Sequence, residues 1–304
     1  MKRGWLGIAA TGLFSVSLMV AAQTTSGDGK AATSWASLKS QRSDESVQAA
    51  PAGRARVFVE PVRGRRVGAN RALWVHVFNA KGGNGGGGNG GGGGGKPKPT
   101  LDCTDGNVTN PANLHGWSLP ASTAWTYNSN TTPSDILIAP GSSIIATFQD
   151  AAASWDATTS GLGLSITEVD RGGFTGPAAD GDHLIGFAQF TGRGAKQILA
   201  AAWSWVDQTT GEVTDTDIFF NTSHSWAVND GGLTGSALCG DPDRFDIGNV
   251  FTHEVGHPVG VGHSDDANDS GRRATMAPTA SKGEVRKTTL SDYDRNGMDA
   301  LYGP

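Results

Sequence analysis

Eleven consecutive residues, His253-Glu254-Val255-Gly256-His257-Pro258-Val259-Gly260-Val261-Gly262-His263, constrain this chain more than any other feature. On an α-helix, His253 and His257 project from one face a single turn apart, which is what two imidazole ligands of one small ion need. Glu254 lies about 100° round the helix from His253. From there its carboxylate reaches an open coordination position without becoming a ligand. Gly260 permits a sharp, left-handed turn that ends the helix and brings His263 back as a third nitrogen. Three neutral ligands leave the ion doubly positive with one position free for water, the catalytic arrangement, whereas a structural site is closed by four protein ligands. The alternative is a buried helix with satisfied core histidines. The specified glycine and third histidine weigh against it.

Pro258 is the odd residue of the segment. Inside a helix it removes a backbone donor and crowds the Glu254 carbonyl, at about 3 kcal/mol in a helix interior. Its place in the last turn before Gly260 predicts a local kink, and Pro258→Ala is expected to raise stability modestly.

Around this segment the pattern of apolar residues predicts an α+β domain. Strands are expected at Ala124–Tyr127, Leu164–Val169, Leu184–Phe190, Ile198–Val206 and Asp217–Asn221. A helix opens near Ser142 or Ser143, with Ile144, Ile145, Phe148, Ala152 and Trp155 on one stripe. Further helices fit Asp246 to about Gly260 and Ser291–Leu301, the latter with Ser291 and Asp294 as a near capping box.

Charge divides the chain. Residues 23–100 carry 12 Lys and Arg against 4 Asp and Glu, and residues 101–304 carry 10 against 25. An acidic globular part repels phosphate backbones, so nucleic acid is not an expected substrate. Met1–Gly4 is a short positive head, and the uncharged stretch Trp5–Ala22 ends in Val20-Ala21-Ala22. Residues 1–22 therefore read as a secretory signal peptide, the rival being an uncleaved anchor. With the peptide removed, no stable membrane insertion is expected, and the chain is secreted, extracellular or periplasmic.

Residues 23–80 form a basic pro-segment whose first part, to about Ala50, has little periodicity. Within it the alternating runs Arg56–Glu60 and Leu73–Phe78 could pair as a hairpin across an Arg- and Gly-rich turn. Residues 81–99 are a glycine-rich linker ending in Lys96-Pro97-Lys98-Pro99. Residues 100–304 are then the catalytic domain.

The extended histidine pattern, followed thirteen residues beyond His263 by Met276 in Ala274-Thr275-Met276-Ala277-Pro278, resembles the metzincin zinc endopeptidases and, within them, the matrixin-like branch. Trp117-Ser118-Leu119-Pro120, Phe148-Gln149 with Trp155, Asp217–Asn221 with Trp226, Thr289-Leu290-Ser291 and Leu301-Tyr302-Gly303 look like that family's landmarks. Pro278 stands where astacins and serralysins carry a tyrosine, which favours matrixins.

The resemblance implies a metzincin-type zincin fold: a twisted, mainly parallel sheet with an antiparallel edge strand, an active-site helix and a C-terminal helix. It further implies a zinc-dependent endopeptidase acting on proteins or peptides. One catalytic zinc would be held by His253, His257 and His263, with Glu254 as general base and Met276 as a hydrophobic floor, not a ligand. Substrate would lie along an exposed edge, for which Ile198–Val206 is the candidate. The rival class is a secreted binding or adhesion protein on a decayed metzincin fold, for which only Pro258 speaks.

Two departures from the family pattern stand out. Residues 23–100 contain no cysteine, so the family's cysteine switch is missing. His183 stands alone where vertebrate members hold a second zinc. Cys103 and Cys239 are expected to form a disulfide in a secreted chain, the alternative being Cys103 as a displaced zinc-blocking thiol. Calcium is a further candidate cation, at Asp241, Asp243 and Asp246 or at Asp265, Asp266 and Asp269, although Asp246 also reads as a helix cap. Intramolecular inhibition by the pro-segment is expected through its charge, with blocking by strand addition of Leu73–Phe78 beside the cleft or by His76 reaching the zinc, although His76 reads first as an ordinary strand residue and the rival for the whole block is a disordered secretion spacer.

Overall fold

A computed structural model describes residues 56–81, 108–109, 111–158, 162–172, 176–229, 240–264 and 274–303. The expected signal peptide, both cysteines and the acidic group Asp265, Asp266 and Asp269 lie outside the described residues. Those described all fall in one unit, Gln48–Pro304. Its strands are β1 (Arg56–Phe58), β2 (Val62–Arg66), β3 (Arg71–Ala80), β4 (Ala124–Asn128), β5 (Leu137–Ile138), β6 (Ser165–Val169), β7 (His183–Thr191), β8 (Ile198–Asp207), β9 (Val213–Asn221), β10 (Trp226–Val228), β11 (Phe245–Asp246) and β12 (Thr279–Ala280). The α-helices are α1 (Ile144–Asp156), α2 (Ile247–Gly256) and α3 (Asp292–Tyr302).

The main sheet runs in the order β12-β3-β8-β9-β7-β4-β6, with β2 also on β3 and β1 on β7. β6, β4, β7 and β9 are mutually parallel and β8 is antiparallel to β9. This is the mixed, mainly parallel α+β sheet that the resemblance implies. β8 is almost wholly buried, as expected of a strand covered on both faces. Leu199, Ala200 and Ala202 join the core under the helices. Ile198, Ala201, Trp203 and Trp205 join a second cluster on the opposite face, with Val57, Val59, Leu73 and Val75.

The outer side of β8 is taken by β3, paired antiparallel from Arg71↔Asp207 to Asn79↔Ile198. On its other side β3 meets β2 antiparallel and β12 parallel. The expected hairpin is therefore corrected. Arg56–Phe58 pairs parallel with β7, and the partner of β3 is Val62–Arg66, which reads in sequence as a turn. The misreading has a physical cause: Val62-Arg63-Gly64-Arg65-Arg66 lacks alternation, and Gly64, at φ +60°, lies under the Trp74 indole where a Cβ would press on the ring.

Two helices stack on the inner face of the sheet. α1 starts at Ser143, whose side chain accepts the Ala146 N–H, and buries Ile144, Phe148, Ala151, Ala152 and Trp155. The Trp155 indole N–H donates to the Thr252 carbonyl at 2.8 Å and locks α1 to α2. Asp246 caps α2 by accepting the Asn249 N–H at 2.6 Å, and it also accepts the Asn229 backbone and side-chain N–H groups.

α2 stops sooner than its sequence suggests. It ends at Gly256 with His257 as C-cap, so Pro258 follows the helix instead of kinking it, a usual place for proline. The Glu254 carbonyl, which residue 258 would otherwise bond, accepts the His257 N–H at 3.3 Å. The expected stabilisation by Pro258→Ala is accordingly reversed: residue 258 lies outside α2, and the unfolded chain gains freedom. We expect this substitution to lower stability by about 0.4–1 kcal/mol with zinc content unchanged, read by thermal unfolding and metal analysis. A rise in the unfolding midpoint would contradict this.

Candidate metal centre

Every residue of α2 is buried, and its face toward the cleft carries His253 and His257. Beyond the C-cap the backbone reverses at Gly260, φ +99°, where a Cβ would overlap the Trp117 carbonyl and press on Leu301. The Val261 N–H donates to the Gly256 carbonyl at 2.9 Å, the Gly262 N–H to Asn113 at 2.7 Å, and the His115 N–H to Gly260 at 2.8 Å. α3 fastens the reversed chain with two tyrosines. The Tyr293 hydroxyl reaches the Gly262 and His263 carbonyls at 3.2 and 3.0 Å, and the Tyr302 hydroxyl donates to Val259 at 2.9 Å.

This reversal sets His263 opposite His253, with their Nε2 atoms 3.2 Å apart. Together with a nitrogen of His257, these ligand atoms all lie within 4.8 Å of one another. Zinc–nitrogen bonds of about 2.0–2.1 Å in a tetrahedron put ligand nitrogens roughly 3.3 Å apart, so the spacing of His253 and His263 fits. The orientation fits as well. His253 Nδ1 lies 2.7 Å from the Thr275 carbonyl; as donor it fixes the tautomer and leaves Nε2 for a metal. His257 Nε2 and both Glu254 carboxylate oxygens are buried with no hydrogen-bond partner. Buried polar atoms are seldom left so, and a bound ion with its water would satisfy all three.

Burial sets the charge states. It pushes the imidazoles of His253 and His257 well below their usual range, their neighbouring imidazoles adding to the effect. His263 is pushed down to about 4, chiefly by burial. Neutral imidazole is the ligating form. Burial drives Glu254 the other way, well above the usual carboxylate range, so its anion gains most from a nearby cation.

Met276 is fully buried beneath α2, where a Cβ at Gly256 would overlap its sulfur. Asp294 fixes the backbone of this turn. Its carboxylate accepts the Thr275 and Met276 N–H groups at 3.0 and 3.2 Å as well as the Ser291 N–H at 2.8 Å. The capping box legible in sequence is thus also the clamp on the methionine turn.

His115 gives no such sequence signal, since it belongs to no spaced pattern. Its Nε2 lies 3.4 Å from His257 Nδ1, and its ring stacks on Trp117 at 4.4 Å. The Trp117 indole N–H in turn donates to the His257 carbonyl at 3.1 Å.

Other candidates stand elsewhere. His183 Nδ1 lies 3.0 Å from Asp215, and His183 belongs to neither histidine group. Asp215 and Asp217 accept backbone N–H groups of Gly181, Ala178 and Leu184 and so tie the preceding loop to β9. Of the first acidic group, Asp246 serves as the α2 cap, and Asp241 accepts the Asp243 N–H at 2.8 Å.

β3 roofs the centre. Trp74, His76 and Phe78 share one face of the strand. Phe78, fully buried, stacks on His253 at 3.9 Å between centroids and 13° between planes. His76 stacks on His257 at 4.3 Å and 14°, and Trp74 meets Trp117 at 5.0 Å.

The contact between Gly256 and Met276 leaves no room for a methyl group. We expect Gly256→Ala to displace Met276, lower stability by about 1–3 kcal/mol and reduce zinc retention, measured by unfolding and metal analysis. Wild-type values for both would show that the floor under the helix yields freely.

Comparison with known proteins agrees with this geometry. The sequence profile of the family described as Matrixin (Peptidase_M10) matches residues 121–303. The chain is similar to Matrilysin of Homo sapiens, 36% identical over 80 residues that cover 24% of this chain and 28% of that protein. It is similar also to Metalloendoproteinase 1 of Glycine max, 36% identical over 90 residues covering 30% of this chain and 26% of that protein. The aligned parts span about a quarter of the length of these relatives. The profile match takes in most of the sheet, all three helices, the three histidines and the methionine turn, and by it the chain belongs to the matrixin family.

Proposed function

We propose that the chain is a secreted zinc-dependent endopeptidase made as a latent precursor, with a signal peptide over residues 1–22, a pro-segment over 23–80, a linker over 81–99 and the catalytic domain from residue 100. The observation that carries the reading is the set of three convergent imidazoles, His253 and His257 buried and His263 half-buried, together with a buried carboxylate that has no hydrogen-bond partner. His253, His257 and His263 would hold the zinc. When bound, it supplies a Lewis acid and lowers the pKa of water from about 15.7 toward 7.

The remaining work falls to this chain's residues. Glu254 accepts the proton of the water that attacks the scissile carbonyl and delivers it to the departing amine. Burial in the metal-free site holds its proton affinity well above that of a solvated carboxylate, which favours the first transfer. The β8 edge offers backbone donors and acceptors to an extended peptide, the mode of β-strand addition. Met276 and Asp294 keep the floor and the turn in place.

In the chain described, that edge belongs to β3. A peptide substrate and β3 compete for the same backbone groups, so hydrolysis follows a cut in the linker and departure of the strand. Pro258, the one residue that suggests a non-catalytic descendant, lies beyond the helix C-cap and lends that alternative no support.

Glu254→Gln tests the mechanism. We expect the matured variant to retain one zinc while its hydrolysis of a denatured protein mixture falls by about 10²–10⁴, the usual contribution of a general base. Comparable cleavage by the zinc-loaded variant would remove Glu254 from the mechanism. A second expectation concerns latency: the full chain is silent until it is cut between residues 81 and 99. Equal hydrolysis by cut and uncut chains would mean that β3 does not block the cleft.

A further inference from the structure

Lys287 is the one fully buried lysine among the described residues, a place where lysine is almost never found unless paired. Its Nζ lies 2.5 Å from Glu284 Oε1. The same oxygen is 3.0 Å from Arg286 Nε, and Oε2 accepts the Ser281 N–H at 3.0 Å. Arg286 alone would neutralise this carboxylate, so the loop after the methionine turn has no need of a second cation. Together the three groups carry one net positive charge.

What Lys287 faces gives the ammonium a use. Its Nζ stands over the Phe78 ring, 5.9 Å from the centroid, within the range at which the face of an aromatic ring attracts a cation. Phe78 is also the residue of β3 that stacks on His253. The ammonium is held there from α2: the Lys287 N–H donates to Asn249 Oδ1 at 2.8 Å, and Asn249 stands one turn before His253 on the same helix face. In the ladder between β3 and β8, Phe78 lies opposite Ala200. A peptide laid antiparallel on β8 in place of β3 brings one side chain to the same space, since alternate side chains of a strand share a face.

Resting on the zinc-peptidase reading above, we propose that Lys287 is a specificity-determining residue: with the His253 ring, its ammonium selects an aromatic side chain at the substrate position that Phe78 holds here, over an aliphatic one of equal bulk. The discrimination comes from a positive charge against the electron-rich face of the ring, an attraction that desolvation strengthens. Glu284 and Arg286 keep the loop and the ammonium in place. The substrate class is an extended peptide with Phe, Tyr or Trp opposite Ala200, and Phe78 is the pro-segment's copy of that residue.

The test uses the full chain cut in the linker and loaded with zinc. Its digest of a denatured protein mixture is sequenced to find the position, counted from the cleaved bond, at which aromatic residues are enriched. Peptides are then made that differ only there, carrying phenylalanine, cyclohexylalanine or pentafluorophenylalanine. Cyclohexylalanine keeps the bulk without an aromatic face, and pentafluorophenylalanine keeps the ring but withdraws electrons from its face. We expect kcat/KM to fall about tenfold from phenylalanine to each of the others, and Lys287→Met to narrow both ratios to about twofold or less. Lys287→Gln, which keeps a hydrogen-bond donor for Glu284, serves as a second variant should methionine disturb the loop. The wild-type series requires no substitution and decides the matter if neither variant folds.

Equal kcat/KM for the three peptides, or ratios unchanged in a folded, zinc-loaded variant, would overturn the selective role of Lys287 and leave the peptidase reading standing. A digest with no position enriched in aromatic residues would do the same. No hydrolysis by the cut chain would overturn the peptidase reading and the proposal with it.

Discussion

The backbone reversal at Gly260 is the constraint on which the site depends. A helix alone can present only His253 and His257 to one ion; the third nitrogen must return from beyond the helix end within six residues. That requires a positive φ at a point where the Trp117 carbonyl and Leu301 leave no space for a side chain. The reversed segment is then held from two sides, by the backbone of residues 113–117 and by the Tyr293 and Tyr302 hydroxyls of α3. The C-terminal helix is therefore part of the candidate metal centre although it supplies none of the proposed ligands. Through Asp294 it also fixes the methionine turn under α2. Ligands, floor and closing helix form one mechanical unit.

The second organising fact is the occupied side of β8. Leaving β3 would uncover Phe78, Leu73 and Val75 and part of the outer cluster around Trp203 and Trp205. Burial of such side chains contributes about 1.5–3 kcal/mol each, in addition to the ladder. Attraction between the basic segment and the acidic domain acts over a Debye length of about 8 Å, so it favours encounter more than retention. In the proposed precursor the force that holds β3 against β8 is mainly short-ranged, so that cutting the linker would permit release without by itself expelling the strand.

Much of this was legible in sequence, for identifiable reasons. The histidine pattern is a covalent spacing, and covalent spacing survives folding unchanged. The strands at Ala124–Asn128 and Ser165–Val169 show alternation, and those at His183–Thr191 and Ile198–Asp207 carry short apolar runs, both patterns that favour a strand at that length. Ser143, Asp246 and Ser291 mark helix starts by local chemistry. What was not legible depends on partners distant in the chain. β2 has the composition of a turn and becomes a strand because β3 offers it a ladder. β1 finds β7 more than a hundred residues away. The strand β9 begins at Val213, earlier than its apolar run, because β8 offers it a ladder as far as Val206↔Val213. α2 reads as longer than it is, since proline after a C-cap and proline in a last turn look alike until the hydrogen bonds are drawn.

The central claim is that His253, His257 and His263 converge on one ion in the fold that this sequence adopts. Anomalous diffraction from crystals of the full chain grown with zinc, recorded above and below the zinc absorption edge, tests it most directly. The account predicts a single strong edge-dependent peak bounded by those three imidazoles and in contact with no other residue of the catalytic domain. Crystals with zinc in excess that show no peak there, or a peak held by a different set of side chains, would contradict it.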